Sequence, residues 1–204
     1  MARSTRESIL TATAELMRRQ GYAAVSIKQI AAGSGAPIGS IYHHFPGGKT
    51  QIAREALVDS GAAYAVLIPT LMEGHDDLGE AIAHAFRAAA ETMESTGFAN
   101  MCPVSTVAGE VADSEESLRV AAAEVFESWV SGAAEHFARR GVDADAAREV
   151  AISVICALEG AFVMARTTRS TEPLLAAGAA VAHRHRGVRL TDGHAVAAPM
   201  VKSR

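Results

Sequence analysis

The stretch SIKQIAAGSGAPIGSIYHHF, residues 26–45, decides the fold. Ser26 stands ahead of an apolar-periodic run and can cap a short helix carrying Ile27, Ile30 and Ala31, which ends near Ser34 and Gly35. A second short helix spans residues 37–45. Ile27, Ile30, Ile38, Ile41 and Phe45 recur at a spacing that lets them pack together beneath a sharp turn at Gly35. Gly39, Ser40 and His43 fall on the opposite face, and the first two are small enough for close backbone approach. That face suits a DNA major groove. Compact helical hairpins with a central glycine also occur as plain structural elements, so the hairpin taken alone leaves both readings open.

Working outward, residues 4–20 read as a helix with Ile9, Thr13, Leu16 and Met17 on one face and Gly21 as its stop. Downstream, Lys49 opens a longer helix to about residue 67, which Pro69 is expected to break. Asp76 and Asp77 begin another that runs to about residue 96, and residues 97–103 read as a loop. A short helix at 104–111 follows, then long helices from Ser114 to Arg140 and from Asp143 to about Thr167, and a last one after Pro173. From Gly187 the periodicity stops, and residues 187–204 read as a flexible tail. Strand signals are nearly absent. The fold class is all-α, with about nine helices.

Of the 204 residues, 49% are apolar, enough for a core without disulfide staples. Cys102 and Cys156 lie far apart and have no ligand-type spacing, which argues for a reducing compartment and a cytoplasmic protein. The most apolar stretch, residues 150–165, is interrupted by Glu159 and falls short of the roughly 20 residues of a membrane span, so no membrane partner is expected. Net charge is -4, but it is unevenly spread. Residues 1–58 hold seven Lys/Arg against three acids (+4), residues 59–168 six against eighteen (-12), and residues 169–204 six against two (+4). Such asymmetry points one end of the chain at a polyanion.

Three blocks combine these signals: RRQGY (18–22), VSIKQIA (25–31) and GSIYHHFPGGK (39–49). Their order and spacing closely resemble the DNA-binding domain of TetR/AcrR-family regulators. FPGGK, together with CPVSTVAGE (102–110), resembles the LmrA/YxaF-type subgroup. The resemblance implies a helix-turn-helix DNA-binding domain at 1–58, formed by three helices, and a helical ligand-binding and dimerisation domain at 59–186. It implies a repressor that binds a palindromic operator in double-stranded DNA as a homodimer and is released by a small apolar or aromatic effector. By the same resemblance Ser26 would cap its helix and meet a phosphate, Pro37, Ile38, Gly39 and Ser40 would face base edges, and Tyr42, His44 and Lys49 would hold the backbone. His43 stays open between a base, a phosphate and a plain surface position. Arg and Gln readers are scarce on this helix, so DNA shape and thymine methyl groups would carry much of the specificity.

Other chemistry is weaker. His183 and His185 stand two apart, off the four-residue spacing of a helical metal pair, and neither they nor His43 and His44 keep a carboxylate cluster. No metal and no cofactor is expected. No hydrolase elbow, phosphate loop or dinucleotide fingerprint occurs, so no enzyme activity is expected. In the C-terminal part Phe86, Met93, Phe98, Met101, Cys102, Phe126, Trp129 and Phe162 sit among many alanines and are the candidates for an effector cavity. Glu110 and Glu159 could orient a polar group there, although solvated positions are the expectation for both. Ala157, Gly160, Ala177 and Gly178 would let the last two helices approach a second subunit closely.

Overall fold

A computed structural model describes residues 4–99 and 101–191, apart from the side chain of Ile68. Among the described residues there are nine helices and no named strand: α1 (Thr5–Gln20), α2 (Ile27–Ser34), α3 (Ile38–His44), α4 (Gly48–Met72), α5 (Leu78–Ser95), α6 (Pro103–Val111), α7 (Glu116–Arg139), α8 (Ala144–Thr168) and α9 (Glu172–Arg184).

Local chemistry sets most boundaries. Ser4 and Glu7 form a reciprocal cap at α1, and Ser26 and Gln29 form the same box at α2. Asp77 and Asp143 accept backbone N–H groups at the starts of α5 and α8. Gly21 and Gly35 leave α1 and α2 at positive φ (75° and 70°), where a side chain is strained. Ser114 does not start α7; the helix begins two residues later behind Glu115.

Pro69 does not end α4. The proline removes one hydrogen bond, but only one further turn follows it, and that turn is held from outside. Met72 is buried, and Arg140 donates to the Met72 carbonyl at 3.2 Å and the His75 carbonyl at 2.6 Å, satisfying acceptors at the helix end. Residues 187–191 are likewise bound in place, at variance with the expected start of a tail at 187. Gly187 N donates to Asp77 Oδ2 at 2.6 Å, Leu190 N to the Asp76 carbonyl at 2.8 Å and Thr191 N to the Arg140 carbonyl at 2.8 Å, while Leu190 is buried. The remainder of that expected tail lies outside the described residues.

The first three helices pack on the N-terminal half of α4 around Ile9, Met17, Ile30, Ile41, Phe45, Ile52 and Leu57, all fully buried. Beyond them α4, α7, α8, α9 and α5 form the body in a chain of neighbours, with α6 wedged against α1, α4 and α7. Gly61 and Gly178 mark two of its closest approaches. A Cβ at Gly61 would strike Val125, and the Trp129 indole N–H donates to the Gly61 carbonyl at 2.7 Å across the same α4–α7 contact. Gly178 is spent inside the chain rather than on a second subunit: it is buried where α9 meets α5, and a Cβ there would strike Phe86. Gly160, by contrast, stands on an open face of α8. By length and composition α4 and α8 could each cross a membrane, longer than the 150–165 stretch suggested, yet both pack lengthwise on α7.

Candidate nucleic-acid interface

The hairpin is built from the inside out. Ile30, Ile41 and Phe45 are fully buried, and Ile27 packs against them in part. Ile38 departs from the expected apolar set, because it is 44% exposed. On a helix of 3.6 residues per turn, a buried Ile41 directs Gly39 and His43 to the opposite side and Tyr42 to its flank, while Ile38, on the side of Ile41, is open because it is the first residue of α3. All four are exposed, Tyr42 at 50%. Pro37 precedes them, exposed, and fixes the helix entry, while Ser40 and His44 lie at the margins of the stripe. The His43 and His44 rings meet edge to face at 5.4 Å.

Ser26 does the capping expected of it: its hydroxyl accepts from Gln29 N at 3.3 Å, and Gln29 Oε1 accepts from Ser26 N at 2.8 Å. Lys49 has a second task that its position in the sequence did not disclose. Its ammonium donates to the Ala23 carbonyl at 3.1 Å and lies 4.2 Å from the centre of the Tyr22 ring. Tyr22 and Thr50 hydroxyls are 2.9 Å apart, so the α1–α2 loop is pinned to the start of α4. Gly47 precedes that start with no side-chain cap, which leaves first-turn N–H groups beside Lys49 for an anion. Arg6 pairs with Glu55 and covers the Phe45 ring, while Lys28 and Arg54 are exposed.

The body grips this head at the end of α1. Glu110, in the last turn of α6, accepts Tyr22 N on one oxygen and Ala23 N on the other, both at 2.6 Å. From α8, Arg166 donates to the Arg18 and Arg19 carbonyls at 3.1 and 2.8 Å. A carboxylate thus takes the N–H groups that follow a helix C-terminus, and a guanidinium takes its last carbonyls. Gly21 must be glycine twice over: its φ is positive, and a Cβ would overlap the Glu110 carboxylate. Glu110 is exposed but committed to this grip rather than merely solvated. The only advance sign was its place in CPVSTVAGE, since nothing in the spacing pairs residue 110 with residue 22.

The effector candidates separate into several sites. Phe86 and Phe162 line one apolar cavity of about 150 Å3 with Tyr64, Leu67, Val154 and Leu158, between α4, α5 and α8. Phe126 lines another of about 260 Å3 between α7 and α8. Met93 is fully buried in the core, and Trp129 is buried with its ring 5.5 Å from that of Phe126. Phe98, at positive φ, packs on the core edge, and Met101 borders a shallow groove against Arg19 and Arg166. Cys102 is buried under the start of α6, where desolvation and then Glu159 push its thiol up to about 12. A neutral thiol of that kind is no nucleophile. Burial likewise pushes the Tyr64 hydroxyl up to about 12. Among the described residues no cluster of His, Cys, Asp or Glu could hold a metal ion.

The arrangement matches known proteins in two blocks. Residues 9–56 match the model of bacterial regulatory proteins of the tetR family, and residues 79–180 match that of the LmrA/YxaF-like transcriptional regulator C-terminal domain. An uncharacterised HTH-type transcriptional regulator of Mycobacterium tuberculosis is 36% identical over 174 residues, covering 83% of this chain and 88% of that one. The HTH-type transcriptional regulator LmrA of Bacillus subtilis is 33% identical over 171 residues, covering 84% and 91%. Among solved structures, a TetR transcriptional regulator from Legionella pneumophila superposes with a TM-score of 0.77 at 21% identity, covering 91% of this chain and 99% of that one. With head, body and sequence in agreement, the chain belongs to the TetR family of transcriptional regulators, which are not enzymes, and carries the LmrA/YxaF-like C-terminal domain.

Proposed function

We propose that this regulator is a cytoplasmic repressor that holds a palindromic operator as a homodimer and lets go when a small apolar or aromatic effector enters the body. The observation that carries the DNA half is the exposed stripe of α3, raised on a tightly buried base. Pro37, Ile38, Gly39 and Ser40 would approach base edges, with Ile38 offering an apolar contact to thymine methyls. Ser26, Tyr42, His44 and Lys49 would hold phosphates, and His43 would reach either. Residues 1–58 form the reading unit in this scheme and residues 59–186 the sensing and pairing unit, joined by the unbroken α4.

Pairing is supported by an apolar surface that α8 and α9 leave uncovered. Ile152, Val163 and Met164 on α8 and Leu175 on α9 are 42–58% exposed beside the open Gly160. A two-fold contact there would set two α3 helices against two half-sites. An effector that favours a different separation of those helices would weaken DNA binding with a coupling of about 1–3 kcal/mol. Fragments of the source genome, selected on the purified protein at physiological salt and sequenced, test this scheme. Enrichment of a palindrome beside a promoter is expected, with affinity falling steeply as salt rises. A salt-insensitive or unenriched outcome from a folded dimer would overturn it.

A further inference from the structure

Residues 21–23, the turn that leaves α1, are held from two sides by groups distant in sequence. On the body side Glu110 accepts Tyr22 N on one oxygen and Ala23 N on the other, and its carboxylate fills the place where a side chain at Gly21 would stand. On the other side the Lys49 ammonium donates to the Ala23 carbonyl at 3.1 Å and lies 4.2 Å from the centre of the Tyr22 ring, while the Tyr22 and Thr50 hydroxyls are 2.9 Å apart. Ala23 is thus bound by its N–H to the body and by its C=O to the first turn of α4. Behind Glu110, α6 is itself tied down, because Ser105 in its first turn donates to Glu159 of α8 at 2.6 Å.

An ammonium has three N–H donors. In Lys49 one is spent on the Ala23 carbonyl and a second direction is taken by the face of the Tyr22 ring, so the turn fixes the aim of the donor that remains. Lys49 makes no ion pair with an acid among the described residues. A lysine stem left to itself spreads its charge over many rotamers, and ordering it on a phosphate costs entropy. A stem already ordered by Tyr22 and Ala23 avoids much of that cost.

We propose that the 21–23 turn is a relay: Glu110 of the body, acting through Tyr22 and Ala23, aims the Lys49 ammonium at a DNA phosphate. Glu110 and Tyr22 are positioning residues in this scheme, and neither touches DNA. The proposal rests on the DNA reading above and adds a route by which the body bears on it without moving α3. When α6 shifts from the end of α1, Tyr22 and Ala23 are freed and Lys49 loses its aim. Helix α3 keeps its place meanwhile, since Ile30, Ile41 and Phe45 seat it in the core of the head itself.

The test is a double-mutant cycle on the full chain, read as affinity for a genome fragment retained in the selection above and as the dependence of that affinity on salt. Glu110→Gln keeps the size of the side chain but no longer accepts both N–H groups. It is expected to weaken binding about tenfold per half-site and to lower the salt slope by about one, as if Lys49 itself were gone. Lys49→Met, which keeps an apolar stem on the Tyr22 ring, should do the same, and the double variant should be no weaker than Lys49→Met alone. Lys49→Arg should restore the slope and, with it, the sensitivity to Glu110→Gln. Thermal unfolding followed by fluorescence of Trp129, the one tryptophan, checks that each variant is folded. Thr50→Val, which releases the Tyr22 hydroxyl and leaves Glu110 in place, tests the same relay if Glu110→Gln does not fold. Losses that add in the double variant, or a loss in Glu110→Gln with an unchanged salt slope, would overturn the relay and leave Glu110 a plain structural contact. Full affinity in Lys49→Met would overturn it as well, by taking Lys49 out of the interface while the rest of the head still binds. No binding by the folded wild type, on the retained fragment or on random duplex at low salt, would instead overturn the DNA reading beneath it.

Discussion

The head and the body of this molecule are both helical, yet they are built to opposite specifications. Around Ile30, Ile41 and Phe45 the head is filled, and two of its three helices begin in reciprocal side-chain caps. The body is made of long, alanine-rich helices that leave cavities of about 150 and 260 Å3 and a row of exposed Ile, Val, Met and Leu. A reader of DNA must hold one shape, whereas the sensing and pairing proposed for the body need room for a guest and a second subunit. Packing density is where these demands diverge.

The largest effect should therefore separate two phenylalanines. Phe45→Ala removes a fully buried ring from the head and is expected to cost roughly 3–5 kcal/mol of stability. Phe126→Ala widens a wall that already borders empty space, and should cost less than half as much. Denaturant midpoints of the two variants check this, and equal costs would break the distinction. Next comes the joint. Gly21→Ala places a side chain at positive φ and against Glu110, so a loss above about 1 kcal/mol is expected, together with weakened DNA binding. Glu110→Ala should weaken DNA binding without the backbone strain; full DNA affinity in both variants would mean that head orientation does not depend on the grip.

How much of this was legible in the sequence differs between the same two regions. Helix caps and stops are local, so Ser4, Ser26, Gly21, Gly35, Asp77 and Asp143 marked their helices well. Pro69 misled because the last turn of α4 depends on Arg140, distant in sequence, which no local signal contains. Ile38 reads as core from its spacing and as base-facing from the resemblance, and its exposure removes the first of these, because an apolar residue type by itself does not say which side of a surface it is on. In the body, the residue types that fill a core also line a cavity, so Met93 and Phe162 could not be told apart by kind. Tyr64, Leu67 and Leu158 were missed for the same reason. Glu159 carried a signal, one acid within an apolar run, but its partner Ser105 stands 54 residues away and is brought to it only by the fold.

A smaller effect would sharpen the picture within the head itself. Tyr42→Phe removes one proposed phosphate donor and should weaken binding uniformly across DNA sequences by about 1 kcal/mol, leaving the salt dependence unchanged, since no charge is lost. Lys49→Ala should be larger and should also reduce the salt slope by about one. It frees the Ala23 carbonyl and the Tyr22 ring as well, so part of its loss should reappear as lowered stability without DNA. Substitution of Ser40 should instead change which sequences are preferred. Equal losses on operator and random DNA at Ser40 would remove it from the base-reading set.

The smallest difference is one of sign between two acids. In the head Glu15 is held below the usual carboxylate range, first by its hydrogen bonds from Arg18 and then, against some desolvation, by Arg19. In the body burial holds Glu159 above that range. A lowered folded pKa contributes stability that is present above the unfolded value near 4.5 and is lost as pH falls through the folded pKa. A raised one does the reverse: stability is complete below 4.5 and declines as pH rises through the folded pKa. The neighbours of Glu159 do not confuse that window, since Ser105 does not titrate and Cys102 and Tyr64 lie at about 12. Stability profiles of Glu15→Gln and Glu159→Gln, each subtracted from wild type between about pH 3 and 7, a range that reaches both sides of the ordinary carboxylate values near 4, should slope in opposite directions. Parallel profiles would mean that the carboxyl beneath α6 is as well hydrated as the one on the head, and the two regions would then differ in packing alone.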